Sequence, residues 1–240
     1  MNFFYSPEPI LQIHILNEQE SRHCIKSLRL RTGDKLHLMD GKGNLYMAKI
    51  IDDNVKACSL EIVDKIEDYP RLPYHLHIGI APTKNSERLE WFVEKAVEIG
   101  ISEITTLLCE NSERTSIKSD RIERLMISAI KQSLRIELPV FTNKVLFDAF
   151  LDKTKNNDVQ KFIAYCGQLT QPPVPLKTCC KPHTDTLILI GPEGDFSKNE
   201  VCHAMDCGFI PVSLGKFRLR TETAALLACS TVQIINESSV

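Results

Sequence analysis

The stretch TLILIGPEGDFSKNE, residues 186–200, joins a run of apolar residues to a glycine-rich turn and the start of a helix. The run Leu-Ile-Leu-Ile near its beginning predicts a buried strand over residues 186–190. Ser197 and Glu200 have the spacing of a capping box, which predicts that a helix begins directly after Ser197. A buried strand that leads straight into a helix is typical of a mainly parallel sheet with helices on both faces.

The same alternation of strand and helix continues on both sides of this stretch. Gly100 stands at the expected end of one amphipathic helix, where glycine is the usual cap. Together these elements predict an α/β domain over residues 74–240. Its other predicted strands lie at residues 76–81, 104–108, 162–165 and 210–214, and its other predicted helices at 87–99, 120–134 and 221–235.

The N-terminal part of the chain has a different pattern. Short strands separated by tight turns surround one helix, which fits a small β-barrel over residues 1–68. Residues 66–73 contain two prolines and few large apolar side chains, so we expect them to link the two domains. The predicted strands of the barrel lie at residues 2–5, 35–39, 45–51 and 55–63, and its predicted helix at 17–28.

The amino-acid composition excludes several classes of protein. The 240-residue chain is 43% hydrophobic and 25% charged with a formal net charge of −2, which excludes a disordered chain and a uniformly basic nucleic-acid binder. The sequence contains neither an apolar run long enough to span a membrane nor a recognisable secretory signal. The nine cysteines form no C-x-x-C pair, which favours reduced thiols over disulfides or zinc. We therefore expect a cytoplasmic protein with no metal site and no membrane partner.

Two segments of the α/β domain have residues suited to ligand binding. Ligands of open α/β sheets bind outside the carboxyl ends of the strands, and residues 191–197 follow the most apolar strand. Residues 214–225, LGKFRLRTETAA, place two arginines before the last helix, where they could contact a phosphate or a base. Taken alone, the first segment could equally be an ordinary strand-to-helix turn and the second a solvated loop. No P-loop, G-x-G-x-x-G or G-x-S-x-G motif occurs in a fitting context.

Several motifs occur in a fixed order between about residue 20 and residue 228. They are HxxxxLR at 23–29 with GD at 33–34, the stretch 84–88, EKAVEIG at 94–100, QSxR at 132–135, GPEG at 191–194, FSxxE at 196–200, and LG at 214–215 with LRTETAA at 219–225. With these motifs the chain resembles the RsmE family, bacterial 16S ribosomal RNA methyltransferases of the SPOUT class. The family methylates N3 of a uridine conventionally numbered 1498.

This resemblance implies a fold, a cofactor and partners. The expected fold is a PUA-like β-barrel followed by an α/β SPOUT domain with a deep trefoil knot, a feature that periodicity could not predict. The expected methyl donor is S-adenosylmethionine. The expected partners are 16S ribosomal RNA of the small ribosomal subunit and a second copy of the chain, since each site of the family lies at a subunit interface.

The resemblance also implies roles for individual residues. Arg220 is the catalytic candidate, because a cation near the uracil oxygens would stabilise the anion formed when N3 loses its proton, and Glu222 would orient it. The target uridine should be unpaired or flipped out. The expected donor-binding residues are Ile190, Gly191, Pro192, Glu193, Gly194, Leu214, Gly215, Leu219 and Thr223. The expected RNA-binding residues are Arg29, Arg31, Lys84, Arg88, Arg114, Arg135 and Arg218.

Three positions depart from the family pattern. Asp195 stands where the family usually has another glycine. A position that accepts aspartate is expected to need no extreme backbone angle, although aspartate also adopts left-handed backbone. Arg218 is displaced by one residue from the arginine of the family. An early arginine of the family is absent from residues 2–5, which carry no charge.

Two other functions remain open at this point. A related knotted methyltransferase could act on another RNA target, because a barrel domain does not fix the nucleotide. A non-catalytic RNA-binding protein would fail to bind S-adenosylmethionine. No residue is identified as a general base, and loss of the uracil proton to water is one route.

Overall fold

The computed structural model describes residues 2–115, 117–167, 169 and 171–237. Within it the chain forms two compact units, one comprising Met1–Arg71 and Ile127–Leu138, the other Leu72–Met126 and Pro139–Val240. The first unit is therefore assembled from two separate stretches of sequence.

The first unit contains a five-stranded sheet of strand order β1-β3-β4-β5-β2. The pairings are antiparallel except between β1 and β3, and β1 and β2 lie at the edges, so the described sheet is an open half-barrel. Its core includes Phe4, Leu36, Leu38, Ile50 and Leu60. The elements are β1 (Phe3–Tyr5), β2 (Ile13–Ile15), α1 (Glu18–Arg22) continued by a π-helical turn (His23–Ser27), β3 (Lys35–Met39), β4 (Leu45–Asp52) and β5 (Ser59–Ile66).

The predicted elements of this unit agree with the structure except at two strands. Asn17 caps α1 as expected, with its side chain accepting a hydrogen bond from the Glu20 amide at 2.9 Å. The strand predicted at residues 55–63 lies instead at Ser59–Ile66. Strand β2 is not predicted because its apolar and polar residues lie on the opposite sides from those that a sequence pattern assumes: Ile13 and Ile15 are exposed while His14 is buried. Burial lowers the pKa of His14.

The second unit contains a seven-stranded sheet of order β10-β12-β9-β11-β6-β7-β8, in which every described pairing is parallel. The predicted parallel α/β sheet is thus confirmed, whereas the trefoil knot stays a prediction. The elements are β6 (Leu76–Ile80), α2 (Ser86–Ile99), β7 (Glu103–Leu108), α3 (Ser119–Ser133, which from Ile127 onward belongs to the first unit), β8 (Val140–Leu146), α4 (Phe147–Thr154), β9 (Gln160–Ala164), β10 (Val174–Pro175), α5 (Leu176–Cys179), β11 (Thr186–Ile190), α6 (Lys198–Asp206), β12 (Ile210–Ser213) and α7 (Thr221–Glu237).

Strand β11 lies in the interior of this sheet. All five of its residues are buried, and it pairs with β9 on one side and β6 on the other. Four elements of this unit are not predicted from the sequence: β8, α4, β10 and α5. Strand β8 is an edge strand with mostly half-buried or exposed side chains and lacks an apolar alternation, and β10 and α5 are only two and four residues long.

Candidate functional site

Three neighbouring parallel strands, β12, β9 and β11, end at one edge of the large sheet. The register pairs Ala164 at the end of β9 with Ile190 of β11 and Val212 of β12. A cavity of about 950 Å³ opens there, lined by the segments that follow the three strands. We call it the main cavity. Its volume is in the range of small-molecule sites, about 300–1,000 Å³.

The turn after β11 leaves little space for a side chain at two of its glycines. A Cβ atom on Gly191 would lie 3.0 Å from Cδ2 of Phe196 and 3.1 Å from its backbone nitrogen. A Cβ on Gly194 would lie 3.2 Å from Cβ of Asn111. Phe196 cannot move away easily because it is buried against Phe147, with ring centroids 5.3 Å apart. The backbone of this turn is therefore packed closely against its surroundings.

Asp195 has a left-handed backbone, with φ of +66°. Of the two alternatives left open for this position, the left-handed backbone that aspartate can adopt is the one observed. The carboxylate offsets the strain by accepting hydrogen bonds from the backbone amides of Phe196 at 2.9 Å and Cys166 at 3.1 Å. Because Cys166 follows β9, Asp195 ties the segment after β9 to the turn after β11.

Glu200 completes the predicted capping box and makes one further bond. Its Oε2 accepts from the Ser197 amide at 2.8 Å, and the Ser197 side chain accepts from the Glu200 amide at 3.3 Å, so the predicted capping box is confirmed. Its Oε1 accepts a hydrogen bond at 2.8 Å from the amide of Glu110, a residue that follows β7. This buried carboxylate therefore fixes the start of α6 to the end of a distant strand.

The loop between β12 and α7 contacts the turn after β11 at two points. The Thr221 hydroxyl donates to the Gly191 carbonyl at 3.1 Å, and the Arg218 guanidinium donates to the Glu193 carbonyl at 3.0 Å. Arg220 directly precedes α7, and its carbonyl accepts from the Ala224 amide at 2.8 Å. Two loops that are distant in sequence thus form one wall of the main cavity.

Most of the residues expected to bind a small molecule lie together in the main cavity. Arg218 and Arg220 line it as well, and both are exposed. Gly194 and Thr223 are not among the described residues that line it. The predicted residues that do so are Ile190, Gly191, Pro192, Glu193, Leu214, Gly215 and Leu219.

Glu222 contacts a different arginine from the one expected. It is 6% exposed, and its Oε1 lies 3.8 Å from Nε of Arg88 on α2. Arg88 is half-exposed at this contact, so the pair joins the starts of α2 and α7. Orientation of Arg220 by Glu222 stays a prediction.

The other predicted RNA-binding residues are distributed over both units. Arg29, Arg31 and Arg135 belong to the first unit, where Arg29 is exposed at a backbone φ of +58° and the Arg31 amide donates to Asp34 at 2.8 Å. Lys84 and Arg114 line a second, smaller cleft in the second unit.

The described lining of the main cavity contains arginine side chains and main-chain groups, and its carboxylates, which could act as a general base, already accept hydrogen bonds. Among the described lining residues, the carboxylates are Glu193, which accepts from the Lys84 amide at 2.9 Å, and Asp195, which is already doubly bonded. Burial and the carboxylate of Asp195 raise the pKa of the Cys166 thiol, so it stays neutral near pH 7. The site is thus suited to stabilising negative charge on a ligand.

Sequence reasoning missed several residues of the main cavity. Tyr165, Cys166 and Gly167 line it after β9, and the rule that placed residues 191–197 at a strand end would have found them too. Phe217 also lines the cavity and is 86% exposed, a feature that sequence alone does not reveal.

We expect Asp195→Ala to lower the free energy of unfolding by about 1–3 kcal/mol, because two amide donors lose their acceptor. Asp195→Asn is the matched control, since asparagine also tolerates left-handed backbone and keeps one acceptor oxygen. Urea denaturation measures both. Equal stability of the alanine and asparagine variants would contradict the role assigned to the carboxylate.

The described residues give no indication of a metal or a membrane. No group of three or more potential metal ligands occurs among them. Within the same ranges, every helix is too short or too polar to cross a bilayer.

Two family models match the chain. One, described as an RNA methyltransferase domain, matches residues 70–233, and the other, described as an RNA methyltransferase PUA domain, matches residues 16–63. A relative named Ribosomal RNA small subunit methyltransferase E, from Buchnera aphidicola, is 30% identical over 228 residues, which cover 92% of this chain and 88% of the relative.

Solved structures are similar over the full chain. A probable rRNA-methyltransferase from Porphyromonas gingivalis is 39% identical, with 100% of both chains covered and a TM-score of 0.93. A Ribosomal RNA small subunit methyltransferase E from Neisseria gonorrhoeae, bound to S-adenosyl methionine, is 27% identical, with 98% of both chains covered and a TM-score of 0.87.

Proposed function

The chain belongs to the ribosomal RNA small subunit methyltransferase E family, and from this premise we propose that it methylates N3 of uridine 1498 in 16S ribosomal RNA with S-adenosylmethionine as donor. The observation that carries the proposal is the main cavity at the carboxyl ends of β9, β11 and β12, with Arg220 in its lining. The relative from Neisseria gonorrhoeae, which binds S-adenosyl methionine, supports the choice of donor.

The donor would be held mainly by backbone. Close packing at Gly191 and Gly194 leaves main-chain groups as the available partners there, and main-chain groups can recognise the edges of an adenine. We assign donor binding to Ile190, Gly191, Pro192, Glu193, Gly194, Leu214, Gly215, Leu219 and Thr223. When bound, S-adenosylmethionine supplies an electrophilic methyl group.

Arg220 would supply the electrostatic part of catalysis. Uracil N3 is a weak nucleophile until its proton leaves, and the charge that remains is spread over the two neighbouring oxygens. A guanidinium can donate to such oxygens and stabilise the anion. Since both carboxylates in the lining are bonded to backbone amides, we propose that the proton leaves to water. We propose Glu222, which contacts Arg88, as a positioning residue at the start of α7.

The RNA would be held by six arginines, found in both units, and by one lysine of the second unit. We propose phosphate contacts for Arg29, Arg31 and Arg135 in the first unit and for Lys84, Arg88, Arg114 and Arg218 in the second. The match of residues 16–63 to a PUA domain of RNA methyltransferases supports an RNA-binding role for the proposed domain 1–68, beside a catalytic domain 74–240. An rRNA substrate is in keeping with a cytoplasmic location.

Methyl transfer to small ribosomal subunits that lack the modification tests the proposal. Labelled S-adenosylmethionine is the donor, and nucleoside mass spectrometry identifies the product. We expect 3-methyluridine at position 1498. Label on another nucleotide would indicate a methyltransferase with a different RNA target. Absence of both transfer and heat of donor binding in calorimetry would indicate a non-catalytic RNA-binding protein.

We also propose that the protein acts as a homodimer, as the resemblance implies. Light scattering should then give twice the chain mass of 27.2 kDa. A monomer mass in a preparation that transfers methyl groups would contradict this part of the proposal.

A further inference from the structure

A second cavity, of about 590 Å³, lies in the second unit and carries an excess of positive charge. We call it the basic cleft. It is formed by the start of α2, the segment after β7 and the start of α3. Its charged lining residues are Lys84, Glu90, Glu113, Arg114, Lys118 and Arg121.

Both carboxylates of the basic cleft are engaged in ion pairs. Lys84 Nζ lies 2.7 Å from Oε2 of Glu113, and Arg121 Nη2 lies 2.7 Å from Oε2 of Glu90. No ion pair of Arg114 or Lys118 is found in the described part of the chain, which leaves out Ser116 between them. These two residues therefore supply positive charge that the cleft itself does not neutralise.

The segment that carries Lys118 is held to the sheet. Asn143 of β8 donates to the Ile117 carbonyl at 3.1 Å and to the Ser119 hydroxyl at 2.9 Å. The Asn143 oxygen accepts from the Thr106 hydroxyl of β7 at 2.8 Å. Because the backbone on both sides of Lys118 is already fixed, binding through Lys118 orders only its side chain, which lowers the entropic cost of binding.

The basic cleft is connected to the main cavity through Glu193. The Glu193 carboxylate accepts from the amide of Lys84, which lines the cleft, while its carbonyl accepts from Arg218 of the main cavity. The two cavities are thus separated by a single residue to which both are hydrogen-bonded, and this proximity relates the basic cleft to an RNA strand whose target base lies in the main cavity.

We propose that the basic cleft binds the phosphodiester backbone of the RNA strand beside the target uridine, with Arg114 and Lys118 as the phosphate contacts. This inference rests on the proposed function and adds to it a site for the strand and a role for Lys118. A polyanion suits a groove with two unneutralised cations better than a neutral ligand does.

The test measures RNA affinity as a function of salt. Fluorescence anisotropy with a labelled fragment of 16S RNA around the target is recorded for wild type, Lys118→Ala and Arg114→Ala. We expect each variant to bind RNA about five- to tenfold more weakly, and the slope of log K against log salt to become shallower by about one. Affinity for S-adenosylmethionine and the thermal midpoint should not change, which separates lost contact from misfolding.

Lys177→Ala is the matched control, because Lys177 is exposed on α5 of the same unit and its removal changes the net charge equally. Wild-type slopes for Lys118→Ala and Arg114→Ala would overturn the inference, as would a slope change of equal size in the control. Tight binding of inorganic phosphate to wild type that did not compete with RNA at constant ionic strength would also overturn it, by indicating a site for a free anion. If wild type transfers no methyl group, the proposed function fails instead, so the two failures are distinguishable.

Discussion

Arg220→Ala is expected to reduce methyl transfer by about 10²–10³-fold, the usual effect of removing a donor that stabilises charge in the transition state. Its side chain is exposed in the lining of the main cavity, while the bond to Ala224 that begins α7 uses only its carbonyl. Truncation therefore leaves the backbone intact, and donor affinity should stay within about twofold. Single-turnover transfer and calorimetry measure the two quantities.

Arg218→Ala is the matched control for this variant, because it removes one guanidinium from the same loop. Arg218 contacts the Glu193 carbonyl at 3.0 Å and is also a proposed phosphate contact, so we expect its loss to weaken binding of the donor and of RNA more than turnover. A higher pH should restore part of the lost activity of Arg220→Ala, since the uracil then loses its proton without help from the cation. Near-normal turnover by Arg220→Ala at neutral pH would remove Arg220 from the catalytic role.

The parts of the second unit that could be predicted from the sequence are those whose apolar runs or capping residues lie close together along the chain. Strand β11 was predicted with its observed bounds because five consecutive buried residues leave an apolar run. Helix α6 was predicted from Ser197 and Glu200, whose hydrogen bonds join residues only three apart. The position of a ligand site followed from a general rule about strand ends, without knowledge of the strand order.

Features that depend on distant residues were not predictable in this way. Strand β11 lies between β9 and β6, and the spacing of apolar residues within a strand does not predict which strands will be its neighbours. Lys131 of α3 packs in the first unit, with its Nζ 2.7 Å from Oε1 of Glu20, a contact across 111 residues. The carboxylate of Asp195, whose backbone is left-handed, accepts from the amide of Cys166, 29 residues earlier in the chain.

Glu200→Ala is expected to lower the free energy of unfolding by about 2–4 kcal/mol, because it removes a helix cap and takes a charged acceptor away from two partly buried amides. The lost partners are the amides of Ser197 and Glu110, each 2.8 Å from the carboxylate. Since Ser197 ends the turn that begins at Gly191, a loosened cap should also weaken binding of S-adenosylmethionine. Urea denaturation measures the stability, and calorimetry the donor affinity.

Two further variants separate the contributions of the Glu200 carboxylate. Glu200→Gln keeps one acceptor oxygen at nearly the same volume, so we expect it to recover part of the stability. Glu123→Ala removes an exposed carboxylate from α3 and should change stability by no more than about 0.5 kcal/mol. If Glu200→Ala proved as stable as Glu123→Ala, the bond to Glu110 would not be the link between β7 and α6 that holds the turn in place.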